Sequence, residues 1–181
     1  RRMIAFSSVA QIGYIYMGFG LGTEVGMIAA IFHVLSHAAT KSMLFISAAG
    51  LTTVSGKSKK FIDLTGSGYR NAIAGITFTV ASLSMVGLPV FSGFISKILF
   101  ARACVLNVNK MLPTLVCLAI STILNAIYFL KTVIRIYTPI KTDYKTIHMK
   151  EEVLYTIVCV CFIVCNIVLG MCSEPIVELI R

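Results

Sequence analysis

The sequence contains no tryptophan, and only 13% of its 181 residues are charged. A soluble domain carries about 25% charged residues. This deficit, together with 57% hydrophobic residues and a mean hydropathy of +0.91, excludes a soluble globular protein and predicts an integral membrane protein. In the absence of tryptophan, tyrosines and the lysines and arginines of the loops are left to anchor the chain at the membrane surfaces.

Acidic residues are also scarce, and none of the seven lies within an apolar run. A formal net charge of +9 would suggest a nucleic-acid partner for a soluble chain. Here the basic residues lie mostly in loops between apolar runs, which is typical of membrane topology, so we expect no nucleic-acid partner. A lysine buried in an apolar run has no embedded carboxylate in this chain, and its counter-charge must come from a neighbouring subunit or from helices outside this sequence.

The six cysteines include no C-x-x-C pair. Their spacing disfavours an iron–sulfur or zinc site and favours small apolar packing residues. No loop places a nucleophile beside a base. We therefore expect no catalytic residue, no bound cofactor and no metal site in this chain.

Five apolar runs predict an all-α membrane protein with about five transmembrane helices, forming a single bundle over residues 1–181. The third run is too long for one straight crossing, because a helix of about 36 residues would reach about 54 Å. The runs are Met3–Leu21, Val25–Leu51, Ala72 to about Asn107, Leu112–Tyr137 and Val153–Met171.

The middle of the third run reads GLPVFSGF. Pro89 removes a backbone donor, and Gly87 and Gly93 permit unwinding, so the sequence predicts a break at membrane depth. Two half-helices result, Ala72–Val86 and Ser92–Val105, with Ser92 as the expected N-cap of the second. Broken helices of this kind recur at the ion and substrate sites of transporters.

Ionisable residues are concentrated in the second and third runs. His33, His37 and Lys41 follow one another at a spacing of four, which places them on one face of a membrane helix. Lys97 lies about one turn into the second half-helix. Because charged side chains within a bilayer usually face a bundle interior or a wet path, these four residues predict a path for protons or ions, with Lys97 taking and giving a proton.

Five crossings define two sides, over which the basic residues are distributed unevenly. The positive-inside rule predicts a cytoplasmic N-terminus and an external C-terminus, in a multi-pass protein of the inner or plasma membrane. Eleven basic residues fall on the N-terminal side (Arg1, Arg2, Lys57, Lys59, Lys60, Arg70, Lys131, Arg135, Lys141, Lys145 and Lys150) and three on the other (Arg102, Lys110 and Arg181).

Three segments, in this order and spacing, resemble the antiporter-like membrane subunits of respiratory complex I, membrane-bound hydrogenases and multi-subunit cation/proton antiporters. They are RRMIAFSSVAQIGYI, HVLSHAATKSMLF and GLPVFSGFISK. The resemblance runs to about Phe100, and beyond Lys110 only helix count and polarity agree. Mild departures from the family pattern are Phe6, Ser36 and the valine that follows Pro89.

The resemblance implies a subunit of about fourteen transmembrane helices with two inverted repeats. This chain would supply its C-terminal part, with the second half-channel within residues 1–110. His33, His37 and Lys41 would be the relay residues of that half-channel, and Lys97 the broken-helix lysine facing the exit path. The implied partners are other membrane subunits, the lipid bilayer and H⁺, with Na⁺ left open.

Two functions follow as alternatives. One is proton translocation in a redox-driven complex, either an NADH:quinone oxidoreductase-like complex or a membrane hydrogenase. The other is a subunit of a Na⁺(cation)/H⁺ antiporter without redox chemistry. A third interpretation, a structural subunit with an inactive channel, is opposed by the complete set of four ionisable residues.

Overall fold

The computed structural model describes residues 2–58, 60–139 and 153–181. Eight α-helices occur in this part of the chain, joined by short connections that include a 3-10 turn at Ile62–Leu64. The helices are α1 (Arg2–Gly20), α2 (Glu24–Val54), α3 (Ser67–Arg70), α4 (Ala72–Val86), α5 (Ser92–Val105), α6 (Val108–Ile136), α7 (Val153–Met171) and α8 (Ser173–Ile180).

The longer helices make up five membrane crossings. By length and hydropathy, α1, α2, α6 and α7 can each span a membrane. Helices α4 and α5 together form the remaining crossing, and their bounds are those predicted for the two half-helices. The prediction of an all-α membrane protein whose third crossing is broken is therefore confirmed.

Helix α2 lies along the whole of the broken crossing. Successive hydrogen-bonded pairs show that α4 and α5 run antiparallel to α2, because residue numbers rise on one side as they fall on the other. The pairs are His33 with Ser96, Ser36 with Ser92, and Thr40 with Ser84. Serine and threonine side chains at these positions allow the helices to approach closely and to hydrogen-bond across the interface.

The break has a defined backbone path. Gly87 ends α4 at φ 87°, a conformation that glycine adopts readily, and its N–H donates to the carbonyls of Leu83 and Ser84. Pro89 and Val90 follow, and Val90 has φ 83°. Proline is fixed near φ −65°, so a proline could not replace Val90 in this conformation.

The predicted N-cap of α5 is wrong. The cap residue is Phe91, which gives no side-chain hydrogen bond, and Ser92 is already the first helical residue. Its Oγ atom instead accepts a hydrogen bond from the hydroxyl of Ser36 on α2, at 2.8 Å. The N–H of Gly93 finds a partner elsewhere, in the Oγ atom of Ser84 on α4 at 3.4 Å.

Other differences from the expected elements are shifted helix ends and two additional short helices. Helix α2 begins at Glu24 because Thr23 caps it by accepting a hydrogen bond from Gly26 N–H at 3.0 Å. Helix α6 begins at Val108, and the expected loop after α2 contains the short helix α3. The C-terminal tail forms α8, which sequence patterns did not predict. Arg1, Lys59, Lys141, Lys145 and Lys150, counted above by side, lie outside the described residues.

We expect Gly93→Ala to destabilise the break. A Cβ atom at this position would overlap the backbone carbonyl of Ser84, so α5 would have to move away from α4. Overpacking of this kind costs about 1–3 kcal/mol. The thermal denaturation midpoint of the purified protein in detergent measures the effect. Gly13→Ala is the matched control, because a Cβ there would meet no described atom within 4 Å; equal midpoints for the two variants would contradict the packing at the break.

Candidate functional site

A small internal cavity lies between α1, α2, α4 and α5, and three of the four predicted path residues, His33, His37 and Lys97, line it. Its volume, counted as the space open to the centre of a water molecule, is about 10 Å³. That is near the lower limit for holding one water. The remaining lining residues are Gln11, Ser36, Thr40, Ser84, Met85 and Gly93.

The two histidines stack along α2. Their ring centroids are 6.1 Å apart, and the ring planes differ by 19°. His33 is 5% exposed, and its Nδ1 atom lies 2.6 Å from the Oγ atom of Ser96 on α5. The Nε2 atom of His37 and the Nε2 atom of Gln11 are buried without a hydrogen-bond partner among the described residues. The cavity therefore offers several polar atoms to one water molecule.

Lys97 binds the end of α4. Its ammonium group donates to the backbone carbonyls of Met85, at 3.3 Å, and of Val86, while its aliphatic stem lies against Gly87. The last carbonyls of a helix have no intrahelical partner and carry the partial negative charge of the helix dipole. Within the described residues, the carbonyl end of α4 thus supplies the negative partner of the Lys97 ammonium, a role that no carboxylate fills there.

Lys41 does not lie at the cavity. Its side chain is 6% exposed and turns to α1, where the ammonium donates to the Ser7 hydroxyl and, at 3.1 Å, to the Ile4 carbonyl. The helical spacing correctly placed Lys41 one turn beyond His37. It could not indicate that the long side chain extends toward α1 and away from the broken helix.

Aromatic and aliphatic side chains pack against one side of the histidine pair. His33 makes edge contacts with Tyr14, at 5.4 Å between ring centroids, and with Phe100, at 5.5 Å. Partly buried residues of α8, Ile176, Val177 and Ile180, pack against the same cluster. The contribution of α8 was missed because its eight residues read as a short tail.

The break segment is divided between the cavity and the outer surface. Gly93 lines the cavity and Gly87 covers Lys97, whereas the side chains of Leu88, Pro89 and Val90 are exposed. Sequence reasoning also missed the contribution of Thr40, Ser84, Ser96 and Asn166, all of which are buried and hydrogen-bonded at or beside the cavity. The only available signal was the placement of polar residues inside apolar runs.

The geometry is that of a membrane bundle with titratable side chains around a broken helix. Residues 1–128 match the family described as "NADH:quinone oxidoreductase/Mrp antiporter, TM". The chain belongs to this family.

Individual relatives agree with this assignment. The chain is 37% identical over 136 residues to NADH-quinone oxidoreductase subunit N of Desulforudis audaxviator, covering 75% of this chain and 26% of that protein. It is 30% identical over 182 residues to subunit M of the same kind of enzyme from Rickettsia felis, covering 100% and 36%. The chain thus spans about a quarter to a third of the length of these relatives.

The fold is shared with one chain of a solved Mrp complex. A chain in the structure of the Mrp complex from Dietzia sp. DQ12-45-1b superposes with a TM-score of 0.85 at 22% sequence identity, covering 99% of this chain and 41% of that one.

Sequence similarity extends to F(420)H(2) dehydrogenase subunit L of Methanosarcina mazei, 35% identical over 106 residues, which cover 54% of this chain and 16% of that protein.

Removing the hydroxyl partner of His33 should lower stability. Ser96→Ala leaves a buried imidazole nitrogen without its hydrogen bond, which costs about 1–3 kcal/mol. Ser47→Ala is the matched control, since this fully buried hydroxyl donates only to carbonyls of its own helix, Met43 and Leu44, and its loss is nearly neutral. Thermal denaturation in detergent compares the two, and a Ser96→Ala midpoint equal to that of Ser47→Ala would contradict a bonded His33.

Proposed function

We propose that this chain forms a proton half-channel within a multi-subunit membrane complex, in which redox chemistry on other subunits drives translocation. His33 and His37 relay the proton along α2, and Lys97 receives it at the break. Lys41 lies at the end of the route nearest α1. The chain carries no electron-transfer chemistry itself.

The observation that supports this function best is the cavity shared by the stacked histidines and Lys97. Membrane proteins place ionisable side chains where protein or water solvates them, and such groups mark proton relays. Imidazole can donate at one nitrogen and accept at the other, so a stacked pair can pass a proton through an intervening water. A lysine that rests on backbone carbonyls can be neutral or charged without a fixed carboxylate partner.

The family supports the proposed partners, and the distribution of basic residues supports the proposed orientation. The relatives named above are subunits of oxidoreductases, and the solved neighbour belongs to an Mrp complex, which supports assembly with other membrane subunits. For orientation, Arg2, Lys57 and Lys60 surround one crevice at the N-terminal end of the bundle, whereas Arg102 and Arg181 lie together at the other end. The positive-inside rule then favours a cytoplasmic N-terminus and an external C-terminus.

A cation/proton antiporter without redox chemistry is the alternative function. The close superposition on a chain of the Mrp complex favours it, although at 22% identity that likeness concerns the fold. The two functions are distinguished by what drives transport. Proton movement powered by a Na⁺ gradient, with no dependence on an electron donor, would replace the redox-driven proposal.

Proton uptake into vesicles containing the assembled complex tests the half-channel. His37→Ala should slow uptake, followed by quenching of a pH-sensitive dye, on the order of a hundredfold, as for loss of a positioned proton-transfer group. Lys97→Ala should have a similar effect. His148, the remaining histidine, lies in the polar loop by sequence and outside the described residues, so His148→Ala serves as the control and should leave uptake unchanged.

Full uptake by both His37→Ala and Lys97→Ala complexes, at normal levels of assembly, would reject the half-channel. Loss of uptake in all three variants would indicate a general effect of histidine or lysine removal rather than a defined route. Assembly is measured in the same vesicles by immunodetection of the subunit.

A further inference from the structure

The most apolar helix of the bundle contains a fully buried amide. Helix α7 has the highest mean hydropathy of the spanning helices described, and Asn166 within it is fully buried. Its Nδ2 atom donates to the Oγ1 atom of Thr40 on α2 at 2.8 Å, while its Oδ1 atom has no partner among the described residues. Burial of a half-satisfied amide is costly, so packing alone does not account for it.

The hydrogen bonds around Thr40 have a fixed direction. Thr40 donates its single hydroxyl proton to the carbonyl of Ser36 at 2.8 Å, because a carbonyl can only accept. Ser84, 3.3 Å from the Thr40 hydroxyl, must then be the donor in that pair. The Oγ atom of Ser84 is thereby free to accept the N–H of Gly93, as observed.

This fixed direction separates the network from a proton wire. Its hydrogen bonds end at a backbone carbonyl of α2, and a proton could move along them only if every hydroxyl rotated first. The network instead connects α7, α2 and α4 to the first turn of α5. Gly93 lies one turn before Lys97, and Ser84 immediately precedes Met85 and Val86, whose carbonyls accept from the lysine.

Helix α7 contacts the break at a second point. Gly170, one turn after Asn166 on the same face, lies so close to the carbonyl of Val90 and the backbone of Phe91 that a Cβ atom would overlap both. Asn166 and Gly170 therefore connect α7 to both sides of the interruption, one through Thr40 and the other directly.

We propose that Asn166, Thr40 and Ser84 are positioning residues that fix the start of α5, and with it Lys97, against the carbonyl end of α4. They carry no proton themselves. This inference rests on the proposed half-channel for its effect on translocation, but not for its effect on the break.

Two measurements test the proposal on the assembled complex. Hydrogen–deuterium exchange of the peptide covering residues 87–97 reports the break directly, and Ser84→Ala and Thr40→Val should both speed its exchange. Proton uptake per assembled complex should fall roughly three- to tenfold in Thr40→Val, the effect of one lost hydrogen bond. Thr40→Ser restores the hydroxyl and should return uptake to within about twofold of the original.

Thr77→Val is the matched control. Thr77 is fully buried on α4, and its hydroxyl donates only to the Ile73 carbonyl of its own helix, so neither exchange nor uptake should change. Asn166→Leu separates positioning from folding, because an apolar side chain suits α7 and should not reduce assembly, yet uptake should still fall. A purely structural role would change the amount of assembled complex and leave uptake per complex unaltered.

Unchanged exchange in both Ser84→Ala and Thr40→Val would overturn the proposal. The proposal would also be overturned if these variants exchanged faster but kept normal uptake per complex, provided that His37→Ala abolishes translocation by the same complex. If His37→Ala and Lys97→Ala also translocate normally, the half-channel itself fails, and the exchange data then show independently whether the network holds the break.

Discussion

The hydrocarbon core of a bilayer contains no water, so backbone groups freed where α4 ends and α5 begins must find partners inside the protein. The structure meets this constraint with two side chains, one from each half-helix. The Lys97 ammonium donates to the last carbonyls of α4, and the Ser84 hydroxyl accepts from the N–H of Gly93. The polar contacts of Lys97 and Ser84 follow from this one interruption.

The same constraint explains how a buried lysine is tolerated without a nearby carboxylate. From the sequence, we expected counter-charges from a neighbouring subunit or from helices outside this chain. For the described residues, the ammonium groups of Lys97 and Lys41 rest on neutral oxygens, the carbonyls that end α4 and the Ile4 and Ser7 oxygens of α1. Neutral partners bind a charged lysine less strongly than a carboxylate would, which leaves both side chains open to influence from other charges placed nearby.

Much of the fold could be predicted from the sequence because its signals are local. A proline between glycines in an apolar run marked the break, and the bounds of both half-helices were correct. The four-residue spacing placed His33 and His37 together. Local signals could not indicate that Lys41 turns to α1, or that Asn166 meets Thr40 across 126 positions of sequence, because such contacts depend on which helices pack together. The hydrogen bond from the Gly93 N–H to Ser84 of α4 was hidden for the same reason.

The small size of the cavity has a consequence for leakage. A water molecule occupies about 30 Å³ of liquid, and uncontrolled proton flow requires an unbroken file of waters. With space for the centre of a water over about 10 Å³, the cavity in this conformation is too small to hold such a file.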